Sequence, residues 1–154
     1  MVTIRSAAAA DMSFLLELTQ RLSAFPVPPW RTPDEIANAD HGLLSEALHH
    51  PSNDSRVLIA EVPVGTPVGC IFLTTRIDYF TGVRHAHIEV VAVVPTCAGQ
   101  GVGRALLEAG EAWARSRGYP HVSLNVFAQN EAARAVYDRL GYQPETIHYR
   151  KGLA

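Results

Sequence analysis

The order of hydrophobic periods along the 154 residues predicts one α/β domain. Its mixed, mostly antiparallel central sheet is flanked by helices, in the order β-αα-βββ-α-β-α-β. Three observations lead there. Period-two runs rich in β-branched and aromatic residues cluster between positions 55 and 94. Helical stripes lie on either side of that cluster. A glycine-rich turn then joins the last run directly to a helix.

Taken in order, Val2–Arg5 alternates and reads as a short first strand. Met12, Leu15, Leu18 and Leu22 recur at helical spacing and predict an amphipathic helix from about Ala9 to Ser23. Phe25-Pro-Val-Pro-Pro-Trp-Arg31 cannot continue it, because proline removes donors and restricts its predecessor. Thr32-Pro33-Asp34-Glu35 starts a second helix. Thr32 caps, Pro33 suits the first helical position and Glu35 completes a capping box. Ile36, Leu43 and Ala47 are expected on one face of that helix, which ends before Pro51. Arg56–Val62, Val68–Ile77 and His85–Val94 then predict three antiparallel strands joined by hairpins at Pro63–Thr66 and Thr81-Gly82. Pro95 ends the third. A helix from about Gly101 to Arg117 carries Val102, Leu106, Ala109 and Trp113 on one face. His121–Phe127 is the next strand, and Asn130 caps a helix through Leu140 that stops at Gly141. Tyr142–Lys151 is expected as a last strand.

Composition narrows the function classes. Thirteen basic against 15 acidic residues leave a net charge of −2, which argues against a general nucleic-acid or anionic-membrane binder. A 47% hydrophobic, 18% charged chain is globular in composition. Cys70 and Cys97 form no disulfide framework, and Lys151 is the only lysine. No uncharged run approaches the roughly 20 residues of a spanning helix. The N-terminus lacks a basic segment followed by an apolar one, so a soluble cytoplasmic protein is expected. His85-x-His87, His41, His49 and His50 show no coherent ligand pattern, and no metal is expected.

The most informative stretch runs from Val90 to Arg104. A strand enters Gly99-x-Gly101-x-Gly103 and continues at once into a helix. Glycines let main-chain N–H groups approach an anion, the helix N-terminus adds its dipole, and Arg104 can add a charge-assisted bond. Pyrophosphate binding is the chemistry suggested, beside a purely structural tight turn. The spacing is not G-x-G-x-x-G, which disfavours a dinucleotide fingerprint, and Arg104-Ala105 replaces the Lys-Ser/Thr of a triphosphate loop.

With Val91-Ala-Val-Val-Pro95, Gly99-Gln-Gly-Val-Gly-Arg104-Ala-Leu-Leu107 and Asn130-Glu-Ala-Ala-Arg-Ala-Val-Tyr137-Asp-Arg-Leu-Gly-Tyr142, the chain resembles the GNAT superfamily of N-acetyltransferases. The resemblance implies a single acetyltransferase domain over residues 1–154 with acetyl-CoA as donor. It implies that Val91, Ala92 and Val93 pair with the pantetheine arm, which Asn130 also contacts. Gly99, Gln100, Gly101, Val102, Gly103 and Arg104 are implied as the pyrophosphate cradle. The family usually has Arg or Gln at Ala98, so one polar contact is missing and weaker cofactor binding is expected.

Acetyl transfer to an amine needs a base, an oxyanion donor and an acid for the leaving thiolate. The resemblance places Tyr137 near the thioester sulfur as the acid, although its helical stripe with Ala133, Val136 and Leu140 also fits a core tyrosine. Glu89 is the candidate base. Alternation would put His87, Glu89 and Val91 on one face, where partial burial favours that role. Asn125 cannot serve as a base. Trp30, Asp78, Tyr79 and Phe80 are the candidate acceptor site, with aromatic walls and a carboxylate for a cationic amine. The acceptor expected is a small or amino-acid-like primary amine. Acetylation of a protein N-terminus or lysine, and an acyl-CoA sensor without turnover, remain the alternatives. Ile147–Leu153 can form an exposed edge, so a homodimer is expected.

Overall fold

The structure, a computed structural model, describes residues 1–21 and 25–154. Strand β1 (Thr3–Ser6) opens the chain, and a single 3-10 turn at Ala9–Asp11 leads into α1 (Met12–Arg21). Leu22 and Ser23, the expected end of this helix, lie outside the described residues. Helix α2 (Pro33–His49) starts as its sequence dictates. Thr32 Oγ accepts from Glu35 N at 3.2 Å, while Glu35 Oε2 accepts from Thr32 N at 3.3 Å. Its buried face is Ala37 and Leu44, with Ala47 and Leu48 packed alongside. The expected stripe was therefore displaced, since Leu43 is 43% exposed.

β2 (Ser55–Glu61), β3 (Pro67–Ile77) and β4 (Arg84–Val93) form an antiparallel meander, with β1 antiparallel on the outer edge of β2. After α3 (Val102–Ser116), β5 (Val122–Leu124) returns parallel to β4. The five strands lie in sequence order, and α4 (Glu131–Arg139) follows. Leu15 and Leu18 of α1 and Leu44 of α2 cover one face, against Phe72, Val90 and Ala92. Val102, Leu106 and Leu107 of α3 cover the other, against Ile71, Leu73 and Ile88. Both faces of the central strands are therefore apolar. At the β1 end Arg5 ties together two buried carboxylates, bonding both oxygens of Asp11 at 2.8 Å and Glu61 at 2.6 Å.

The ladders depart from simple alternation at one decisive place. Phe72 pairs with Val90 and Leu73 with Ile88, so Glu89 is an extra residue in β4. Such a bulge bends its strand and puts two successive side chains on one side. Glu89 and Val90 therefore face α1 and α2 with His87, whereas Ile88 and Val91 face α3. The expectation that Glu89 and Val91 share a face is overturned by this inserted residue. The bulge also explains why β5 is shorter than its sequence suggests. Pairing of β4 with β5 stops at Ile88–Leu124, immediately before the bulge, and the two strands part.

The expected last strand is not formed. Residues 143–154 are exposed and belong to no ladder. Tyr142, which donates to Glu111 Oε1 of α3 at 3.2 Å, anchors the start of this segment. β-forming side chains cannot make a strand without a paired neighbour, and the segment pairs with no strand among the described residues.

Gly69 of β3 is where the α3 layer and β4 press closest. A Cβ there would stand 2.8 Å from the Ala92 carbonyl oxygen and 3.1 Å from Leu106 Cδ1. Because a main-chain oxygen cannot swing aside, Gly69→Ala is expected to destabilise the fold by about 1–3 kcal/mol. Chemical denaturation measures it, and an unchanged midpoint would show that β3 has slack here.

Candidate active site

Where β4 and β5 part, a cavity of about 430 Å³ opens between them and α2. Arg31, Glu35, Ile36, Ala39 and Asp40 form one wall, and Ile88 to Val91 another. Residues 124–127 with Asn130 and Tyr137 close the third side. A second hollow of about 260 Å³ runs along Val91, Ala92 and Val93 to Pro95, sharing Phe25, Val91 and Asn130 with the first. The two form one cleft with a strand edge along it.

Main-chain geometry gives that edge its chemistry. Val94 N bonds to Val68 O of β3 at 2.8 Å. Antiparallel pairing alternates, so the N–H groups of Ala92 and Val90 also turn toward β3, and those of Val93 and Val91 turn the other way. With β5 gone, they point into the cleft. Donors therefore line the edge where an extended amide arm or a carbonyl oxygen would lie.

At the far end of the edge sits the glycine turn. Gly99 and Gly101 adopt φ of +76° and +82°, which side-chain-bearing residues rarely take. Ala105 is the first residue of α3 whose N–H is taken up, by Gly101 O at 3.0 Å. The N–H groups of Val102, Gly103 and Arg104 are therefore helix-start donors without a main-chain acceptor among the described residues. Gln100 ties the turn together through its amide to Thr96 O, and the Val102 side chain is buried in the core. Arg104 Nε pairs with Glu108 at 2.8 Å on the surface, leaving part of its guanidinium free to reach an anion. This row of N–H groups fits a pyrophosphate. Asn130 caps α4 by accepting from Ala133 N at 3.3 Å, which leaves its amide NH₂ at the junction of the two hollows.

Glu89 lines the larger cavity in a firmly held geometry. Its Oε1 accepts from Thr74 Oγ at 2.8 Å and from Arg76 Nη2 at 2.8 Å and Nε at 3.3 Å. Tyr137 lines the same cavity, and burial pushes its phenol above the usual tyrosine value. Asp40 faces this space too. Burial first, and the Glu89 charge second, raise its carboxyl to about 6. Sequence reasoning missed Asp40, although Ala37, Asp40 and Leu44 follow helical spacing and an acid in a buried stripe was the available signal. It also missed Thr74 and Arg76, whose relation to Glu89 depends on cross-strand register.

His85 and His87 serve the sheet. His87 Nδ1 lies 2.8 Å and His85 Nε2 3.1 Å from Ser123 Oγ, so one hydroxyl staples β5 to β4 just before the strands part. Burial lowers His87 to about 4 and keeps it neutral. No three metal-ligating side chains converge among the described residues.

The candidate acceptor residues divide. Asp78, Tyr79 and Phe80 form the tip of the β3–β4 hairpin and are not among the cavity-lining residues. Asp78 accepts from the N–H groups of Phe80 and Thr81 and from Thr81 Oγ, a turn-closing role. Tyr79 is 92% exposed. Trp30 adjoins the cavity through Arg31, and the Arg150 guanidinium lies 5.2 Å from its ring centroid.

Comparison with known proteins places this architecture. Residues 15–142 match the model of the acetyltransferase (GNAT) family. A mycothiol acetyltransferase of Salinispora tropica is 40% identical over 93 residues, covering 59% of this chain and 30% of that protein. The chain thus spans less than a third of that relative's length. An aminoglycoside N(6')-acetyltransferase type 1 of Stenotrophomonas maltophilia is 28% identical over 98% of this chain and 94% of its own. Among solved structures, an aminoglycoside N-acetyltransferase in complex with CoA shares the fold at a TM-score of 0.70 and 20% identity, over 98% of this chain and 95% of that one. The match covers most of the chain, and the chain belongs to the acetyltransferase (GNAT) family, whose members take the acetyl group from acetyl-CoA.

Proposed function

We propose that the protein transfers acetyl from acetyl-CoA directly to the primary amine of a small cationic acceptor, with Glu89 as base and Tyr137 as acid. One observation carries this reading. The Glu89 carboxylate and the Tyr137 phenol line a single cavity that continues into the groove beneath the Val91–Val93 edge. The pyrophosphate rests on the N–H groups from Gly99 to Arg104, and the pantetheine arm runs along Val91–Val93 past Asn130. A cleft-facing N–H of that edge polarises the thioester carbonyl.

The amine nitrogen attacks the carbonyl carbon as Glu89 accepts its proton, directly or through one water. The tetrahedral intermediate then expels the thiolate as its C–S bond breaks, and Tyr137 supplies the proton the sulfur needs. A phenol raised by burial keeps its proton at neutral pH, so it is present as a hydrogen-bond and proton donor where negative charge develops on the sulfur. Thr74 and Arg76 fix one Glu89 oxygen and leave the other to the amine.

The acceptor wall supports a small amine with positive charge. Glu35, Asp40 and Glu89 face a cavity of about 430 Å³, which suits a compact molecule. Relatives named for mycothiol and for aminoglycosides point the same way.

Glu89→Gln is expected to lower kcat about 100-fold at neutral pH, with the deficit shrinking as pH rises and free amine accumulates. Acetyl-CoA affinity by calorimetry should stay unchanged. Turnover equal to wild type at every pH would remove Glu89 from the base role.

Tyr137→Phe is expected to lower kcat at least tenfold with little change in acetyl-CoA affinity, measured by thiol release. Undiminished kcat would assign Tyr137 to packing alone.

Asp40 gives a pH signature. Its charge is present above about pH 6 and lost as pH falls through that value. The kcat/KM for a cationic amine should therefore rise through about pH 6, and Asp40→Asn should abolish that limb. If the limb survives in Asp40→Asn, its source lies elsewhere.

A further inference from the structure

The α2 wall of the cleft holds a charge that acetyl transfer leaves unused. Arg31 lines the larger cavity with Asp40 and Glu89, and among the described residues it is the only basic side chain there. Among those residues it also has no ion-pair partner. Of the two acids that open α2, Glu35 is turned back to accept from Thr32 N, and neither pairs with Arg31. The preceding residue, Trp30, carries the Arg150 guanidinium 5.2 Å from its ring centroid, so a second cation stands at the same turn.

The backbone beneath Arg31 is fixed without a ligand. Arg31 N donates to Pro28 O at 2.9 Å, closing a turn with Pro29 at its second position, and the α2 cap begins at the next residue. Phe25, earlier in the same loop, packs on Phe127 across the cavity with ring centroids 5.5 Å apart. A loop so constrained loses little freedom when its side chain binds. Charges of the two signs are also kept apart. Asp40 lies two turns along α2, about 10 Å from its first residue by helical rise. Its carboxyl is raised by burial and by the Glu89 charge, with no lowering by Arg31. The cavity therefore has an acidic end at Asp40 and Glu89 and a basic end at Arg31.

Given acetyl transfer to an amine as proposed above, we propose that Arg31 is a specificity-determining residue that binds an anionic group of the acceptor, whose reacting amine lies several bonds away from that anion. A guanidinium grips a carboxylate or a phosphoryl group through paired N–H donors, and the Arg150 charge over Trp30 strengthens the pull on either. The amine end then meets Glu89 while the anion stays at the turn before α2. An α-amino group beside its own carboxylate is too compact to reach both ends at once.

Thiol release on the full chain tests this with 4-aminobutyrate, 3-aminopropylphosphonate, neutral 4-aminobutanamide and glycine. The better of the two long anionic acceptors should exceed the amide and glycine in kcat/KM by about tenfold, the gain of one charge-assisted contact. Which of the two it is names the anion as carboxylate or phosphoryl. Arg31→Gln should bring that acceptor and the amide within about threefold of each other, chiefly through KM, and Arg31→Lys should restore part of the gap. Arg31→Glu should reverse the order in favour of 1,4-diaminobutane. Thermal melts and calorimetry with acetyl-CoA establish that each variant is folded. Equal kcat/KM for the anionic acceptors and the amide, or a gap that survives Arg31→Gln, overturns the assignment of Arg31 and leaves acetyl transfer to amines standing. Glycine matching the longer acceptors overturns the separation of amine and anion. Turnover of none of these amines overturns the acetyl-transfer reading and the Arg31 subsite with it.

Discussion

One inserted residue in β4 governs the site. Without the bulge at Glu89, β4 and β5 would run on as an ordinary parallel pair and the Val91 and Val93 N–H groups would be spent on β5. The insertion bends β4, ends the pairing at Leu124 and frees that edge. It also turns a carboxylate toward α2 within the same stretch. Sheet fork, donor edge and candidate base are thus three results of a single local event, fixed in place by the Ser123 hydroxyl between His85 and His87.

The electrostatics of the cleft are divided along its length. The glycine turn presents N–H groups and a helix start, which suit phosphate. The α2 end presents carboxylates in partial burial. Glu89 is paired with Arg76, whereas Asp40 has its carboxyl raised by the same neighbourhood. Asp40 therefore carries its charge only above about pH 6, a property that position in the sequence alone does not supply.

What the sequence made legible was local. The capping box at Thr32, the helix start at Gly101 and the Asn130 cap involve residues within four positions of one another, and each is found where spacing predicts. The misplaced features all depend on distant partners. The face of Glu89 depended on a register shift against β3, and the buried stripe of α2 depended on which side of the helix met β2 and β4. Asp78 looked like a free carboxylate until the turn it closes was known. The C-terminal segment has strand composition, but a strand also needs a neighbour, and composition is silent on that.

The two walls of the cleft are made of different material. The side proposed for the donor presents peptide N–H groups and a few glycine torsions, which most side-chain changes there leave in place. The side proposed for the acceptor presents side chains of α2 and the turn before it, each of which a single substitution replaces. Under the proposed function, a lineage built on this frame would exchange one amine for another through drift in α2 while its acetyl supply stays constant. The fold separates the part of the reaction that must persist from the part that is free to change.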